Sequence, residues 1–191
     1  MKSDIIAVSN RADKIEYVLN QTEKVAAFEE LSHKSALYLR LLSEEMMSMV
    51  RSVTRDLDGE FWIENKGQDY ELHLRVETDV DFSVREKLLS ASTSGKNEAN
   101  RGLMGKIRAF FEPTDDVPIF FAMGNESSVA GMDWSMRAYE SEIQRYLQEK
   151  REGAEAAWDE LEKSVISHVA DEVKVSIRGP VVEMTVFKKL S

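Results

Sequence analysis

Residues 60–77 read "EFWIENKGQDYELHLRVE", and the folding of this stretch decides the fold of the chain. Leu72, Leu74 and Val76 alternate with Glu71, His73, Arg75 and Glu77, the two-residue period of a strand with one apolar and one polar face. A second run, "EFWIEN", precedes it, and "KGQD" between them carries a glycine and polar turn residues. Two strands with so short a link form an antiparallel hairpin. Its apolar face needs a cover, which the flanking sequence must supply.

Upstream lie two helical stretches. "DIIAVS" (4–9) reads as a first strand, and Asn10 is placed to cap a helix over 11–30. Ile15, Val18, Leu19, Val25 and Phe28 fall roughly on one side of that helix. Ser32 then caps a long helix, "HKSALYLRLLSEEMMSMVRSVT", in which Tyr38, Leu42, Met46, Met49, Val50 and Val53 step by three and four. This stripe is expected to face the core, with Met46, Met47 and Met49 filling it.

Downstream, "VREKLLSA" reads as a short helix and "STSGKNEANRGLMGKI" (92–107) as a glycine-bearing loop running into a further helix, "LMGKIRAFF". Residues 113–134 carry prolines, glycines and acids and read as irregular. From Ser135 to Val169 the pattern is helical, with a break near Gly153. Tyr139, Ile143, Tyr146, Leu147, Trp158, Leu161 and Val165 give this stretch an apolar side. "EVKVSIRG" and "VVEMTVFK" alternate about Gly179–Pro180 and form a closing hairpin. The order β-α-α-β-β-α-loop-α-α-β-β predicts an α+β fold, a two-layer sandwich whose mostly antiparallel sheet is covered on one face by helices.

Composition narrows the function classes. The 191 residues are 42% apolar, enough for one domain with a real core. Lys and Arg total 25 against 35 Asp and Glu, a net charge of −10, which argues against nucleic-acid and anionic-membrane binding. With no cysteine, disulfides, zinc–thiolate sites and thiol catalysis are excluded. The apolar run in "MKSDIIAVSN" is too short for a signal peptide, and "VPIFFAM" is far short of a membrane span. A cytoplasmic protein is expected. His33, His73 and His168 lie far apart in sequence, and His73, on the polar face of its strand, reads as a surface residue.

The loop at 92–107 has what anion binding needs: Gly95, Gly102 and Gly105, Lys96 and Lys106, and a following helix N-terminus. It is not a P-loop, because neither "SGKN" nor "MGKI" has the required Ser or Thr after the lysine.

The element order resembles the ATP-binding domain of the GHKL superfamily (gyrase, Hsp90, histidine kinases and MutL), whose fold is the Bergerat-type sandwich, and within it the anti-sigma-factor serine-kinase branch. Three stretches carry the resemblance: "LRLLSEEMMSMVRSV", "LHLRVETDVD" and "LEKSVISHVADEVKVSIRGPVVEMTVFKK". Together they cover most of a single domain over 1–191 and leave roughly 113–150 as an insertion. The resemblance implies ATP and Mg²⁺ as ligands. It also implies a Glu and an Asn one helical turn apart, the first as base and the second as metal ligand. In this chain Glu44 takes the place of the base and Ser48 that of the metal ligand; the other register pairs Glu45 with Met49, and neither supplies the Asn. At the adenine position stand Thr78 and Asp79, the latter one step out of phase unless a bulge turns it, and Asp79 with Asp81 reads equally as an exposed turn. Gly102, Gly105 and Lys106 would contact the phosphates, although the family's glycine box abuts its last helix and this one does not.

Two functions follow from the resemblance. One is an ATP-binding regulatory protein, with serine-kinase or weak ATPase activity if it is an enzyme. The other is a degenerate, non-catalytic member that binds a protein partner, with homodimerisation left open. An unrelated small α/β protein is the third reading.

Overall fold

The computed structural model describes residues 1–9, 12–52, 57–77, 103, 107, 108, 111, 132–151 and 153–190. Among these, six strands form one sheet and five named helices lie along it. Strand β1 is Ile6–Ser9, followed by α1 (Ala12–Phe28) and α2 (His33–Ser52). The hairpin follows as β2 (Asp58–Lys66) and β3 (Asp69–Glu77). Then come β4 (Met132–Ser135), α3 (Met136–Gln148), α4 (Ala154–Glu162) and α5 (Val165–Val169). The chain closes with β5 (Glu172–Arg178) and β6 (Val181–Lys189). The sheet order is β1-β2-β3-β6-β5-β4, and every pairing is antiparallel.

The predicted hairpin forms with its strands one residue longer at the turn. Lys66 pairs with Asp69, leaving Gly67 and Gln68 as a two-residue link. Gly67 takes a φ of 67°, the conformation that a Gly-X hairpin turn requires and that glycine adopts without strain. Gly59, at the other end of β2, is needed for space: a Cβ there would lie 2.7 Å from the carbonyl oxygen of Arg75. The central pairing of β3 with β6 sets Leu72, Leu74 and Val76 opposite Val186, Met184 and Val182. All six are buried on one face of the sheet.

That face meets the helices. Ser32 caps α2 as expected, its hydroxyl accepting from the amide of Ser35 at 3.2 Å. Leu42, Met46, Met47, Met49 and Val50 of α2 are fully or nearly fully buried against the sheet. The buried line of α1 differs from expectation. It runs through Ile15, Val18, Thr22, Val25 and Ala26, while Phe28 is 75% exposed. The reason is geometric: Phe28 lies ten residues beyond Val18, and by then a 3.6-residue period has carried it off the buried stripe. Thr22 belongs there because Ser43 of α2 meets it hydroxyl to hydroxyl at 2.9 Å. Two small side chains let the helices approach closely.

The stretch at 132–135, of which 132–134 was expected to be irregular and Ser135 to begin a helix, is an edge strand paired with β5. Its four residues are too few for a visible alternation, and pairing defines it. Ser135 then caps α3 through a bond from the amide of Ala138. The helical stretch breaks at Gly153, which takes a φ of 81°, and again at Ser164. Tyr139, Ile143 and Leu161 join the core on the side of α1 and α2. No helix among the described residues is long and apolar enough to cross a membrane.

Candidate functional site

The α2 residues singled out by sequence lie away from the sheet. With Met46 and Met49 buried, Glu44 is half-buried and Ser48 is exposed on the outward side. The register is therefore the one that pairs Glu44 with Ser48; Met49 belongs to the core. Glu44 is not a free carboxylate. Arg40, one turn earlier, donates from Nε to its Oε1 at 2.9 Å, and the same guanidinium binds Glu23 of α1. An arginine shared between two carboxylates holds both side chains in place, so Glu44 would have to leave this pair to act on a ligand. The neighbouring Glu45 has its carboxyl raised above the usual range by burial, with Glu44 adding to the effect. Ser48 brings one neutral oxygen. The pair offers magnesium little, because Glu44 is engaged by Arg40 and a single hydroxyl is a weaker ligand than a carboxylate.

Thr78, Asp79, Gly102, Gly105 and Lys106 lie outside the described residues. Their immediate neighbours in sequence are informative. Leu103, Ile107 and Phe111 are helical and buried in the main core, and Arg108 donates from Nη1 to the carbonyl of Ser52 at 3.3 Å. Arg108 thus reaches the C-terminal end of α2, one turn beyond Ser48. A cation on a helix's last carbonyls is a favourable contact.

A second cluster sits on the opposite, outer face of the sheet. Trp62 of β2 and His73 of β3 are cross-strand partners whose rings stack with centroids 4.7 Å apart and planes 3° apart. Two residues along, Glu64 and Glu71 stand directly opposite each other. Glu64 Oε1 receives the Trp62 Nε1–H at 2.9 Å and the Lys2 ammonium at 3.1 Å. The Lys2 and Trp62 bonds hold the Glu64 carboxyl below its usual range. His73 Nδ1 lies 3.2 Å from Glu183 Oε1 and 3.3 Å from Thr185 Oγ1, and its Nε2 lies 3.4 Å from Glu71 Oε2.

His73 faces outward as its alternation predicts, but it is not a surface residue: only 9% of it is exposed. Trp62 on one side and the neighbouring strands remove it from water. The cluster's raw signal is in the sequence, since Glu71 and His73 share a face. What the sequence hides is the hairpin register that adds Glu64 and Trp62, and the β3–β6 pairing that brings Glu183 and Thr185. A comparison with protein-family models finds none that matches the chain, and a comparison with curated proteins finds no match.

Proposed function

We propose that the chain is an ATP-binding regulatory protein of the histidine-kinase-like ATPase fold, one that binds nucleotide without turning it over at an appreciable rate. The observation that carries this reading is the contact of Arg108 with the end of α2, together with the burial of Leu103, Ile107 and Phe111. It supports a phosphate-binding role for Gly102, Gly105 and Lys106, because in sequence they adjoin Leu103 and Ile107, and Arg108 is tied to α2 one turn from Ser48. The two-layer sandwich, with α1 and α2 between its first two strands, agrees with the resemblance of the element order. The arginine clamp on Glu44 speaks against phosphotransfer, so no catalytic step is assigned to that residue.

A thermal shift of the full chain with ATP, ADP and Mg²⁺ tests the reading. A ligand at a hundred times its Kd adds about 2.7 kcal/mol, which for a chain of this size raises Tm by roughly 5 to 10 °C. No rise with millimolar nucleotide would discard it.

A second reading, the protein-binding module, is favoured by one feature. A groove of about 310 Å³ opens between α1 and α2, lined by Ala26, Ala27, Leu31, Ala36 and Leu37, with Glu23 and Arg40 at its rim. Phe28, also on α1, is an exposed apolar side chain outside the groove lining. An exposed phenyl and an apolar groove on one chain can meet across two copies, so the occupant argued for is Phe28 of a second copy. Sedimentation should then show a dimer that Phe28→Ser converts to monomer; a monomeric wild-type chain would remove this reading.

A further inference from the structure

We propose that His73, Glu71 and Glu64 bind a divalent transition-metal cation, zinc in the first instance, on the outer face of the sheet. The site lies on the face of the sheet opposite α2 and does not depend on the proposed nucleotide binding.

Both ring nitrogens of His73 face polar groups. Nδ1 lies 3.2 Å from Glu183 Oε1 and 3.3 Å from Thr185 Oγ1, so β6 holds that edge of the ring. Nε2 is buried and has no hydrogen-bond partner, yet it faces Glu71 Oε2 at 3.4 Å. A divalent cation seated between the nitrogen and the carboxylate would be ligated by both. A ring whose Nδ1 is held by a carboxylate and whose Nε2 is directed into an acidic cluster is oriented as a metal-binding histidine is.

The remaining geometry agrees. The ligand atoms of Glu64, Glu71 and His73 all lie within 4.8 Å of one another. Zinc bonds of about 2.0–2.1 Å at tetrahedral angles place donors roughly 3.4 Å apart. The His73–Glu71 gap already has this value, and a swing of the partly exposed carboxylate ends closes the widest one. Trp62 fixes the imidazole plane by stacking, and its Nε1–H orients Glu64, so the ligands sit on adjacent rigid strands with their supports in place. Glu64 directly opposite Glu71 is also a like-charge pair, which costs stability unless a cation answers it. Lys2 answers on Glu64, and Lys66, 4.0 Å from Glu71, answers weakly. One imidazole and two carboxylates without sulfur suit Zn²⁺, Mn²⁺, Fe²⁺ or Co²⁺ better than Mg²⁺ or Ca²⁺, which take oxygen alone. Three protein ligands leave a fourth position for water or a small anion.

The test is equilibrium dialysis of the chelator-treated full chain against Zn²⁺, with Co²⁺ absorption as a spectroscopic report of nitrogen and oxygen ligands. One ion per chain is expected. His73→Gln and Glu71→Gln should each weaken binding by about tenfold or more, and Glu183→Gln by less, because it acts through the ring. Lys2→Met should strengthen binding, since the ammonium competes for Glu64; this variant leaves all three ligands intact. Circular dichroism in chelator confirms that each variant is folded. Absence of saturable zinc binding by the wild-type chain, or binding undiminished in both His73→Gln and Glu71→Gln, would overturn the site. So would nuclear magnetic resonance showing both ring nitrogens of His73 protonated at pH 7 and unmoved by zinc.

Discussion

Met49 and Glu44 sit five residues apart on α2 and respond to opposite demands. Met49 is 3% exposed in the core, whereas Glu44 is half-buried beside Arg40 on the outward side. Met49→Asp would place an unpaired charge among Leu42, Met46 and the sheet, at a cost of about 4 kcal/mol or more. Glu44→Gln keeps the shape and loses one partly exposed ion pair, which is worth roughly 0–1 kcal/mol. Denaturant titration of the two variants separates them, and a tolerated Met49→Asp would mean that α2 is rotated. The stripe of Leu42, Met46, Met49 and Val50 was legible because Met46 follows Leu42 by four, and Met49 and Val50 follow Met46 by three and four. The fate of Glu44 was not, since Glu23 reaches Arg40 from another helix and only the packing of α1 on α2 reveals it.

Between elements, Thr22 and Ser43 hold α1 to α2 through a buried hydroxyl pair. Each hydroxyl also lies within reach of a carbonyl one turn back in its own helix, Val18 for Thr22 and Leu39 for Ser43, so one hydroxyl donates to its partner while the other donates to its carbonyl. Removing one member, by Ser43→Ala or Thr22→Val, should cost about 1 kcal/mol, since the other keeps its carbonyl. The double variant should cost less than the sum, with a coupling of roughly 0.5 kcal/mol or more. Strict additivity would show that the helices are not in contact there. The same level explains what sequence reading caught and missed among the elements. Both hairpins were legible because "YELHLRVE" and the closing strands alternate over seven or more residues, and "KGQD" and Gly179–Pro180 mark their turns. Strand β4 was not, as "MDWS" owes its conformation to β5, and Phe28 was assigned to a stripe that the true helical period leaves behind.

Over the whole molecule, acid stability follows from carboxylates that the fold favours in their ionised form. Glu64 is held below the usual range by Lys2 and Trp62. Asp171 is also lowered: burial works against it, but the Lys188 ammonium and the Lys189 amide outweigh burial. A lowered folded pKa contributes stability above the unfolded value, about 3.9 for Asp and 4.3 for Glu, and loses it as pH falls through the folded value. Glu45 has the opposite sign, because burial raises its carboxyl and acid relieves it. Denaturation midpoints measured from pH 7 down to pH 3 should fall below about pH 4, with a shallower fall in Lys2→Met and Lys188→Met. Unchanged acid slopes in both variants would contradict these assignments.

Nucleotide is proposed to bind beside the segment that Arg108 ties to the end of α2. Calorimetric titration of Mg²⁺–ATP into the full chain, with Lys106→Ala run beside the wild type, tests that proposal. One saturable site is expected in the wild-type chain, with affinity reduced by about tenfold when the ammonium is removed, equal to roughly 1.4 kcal/mol, and no continuing heat of hydrolysis. Absence of saturable binding, or an affinity untouched by Lys106→Ala, would contradict it.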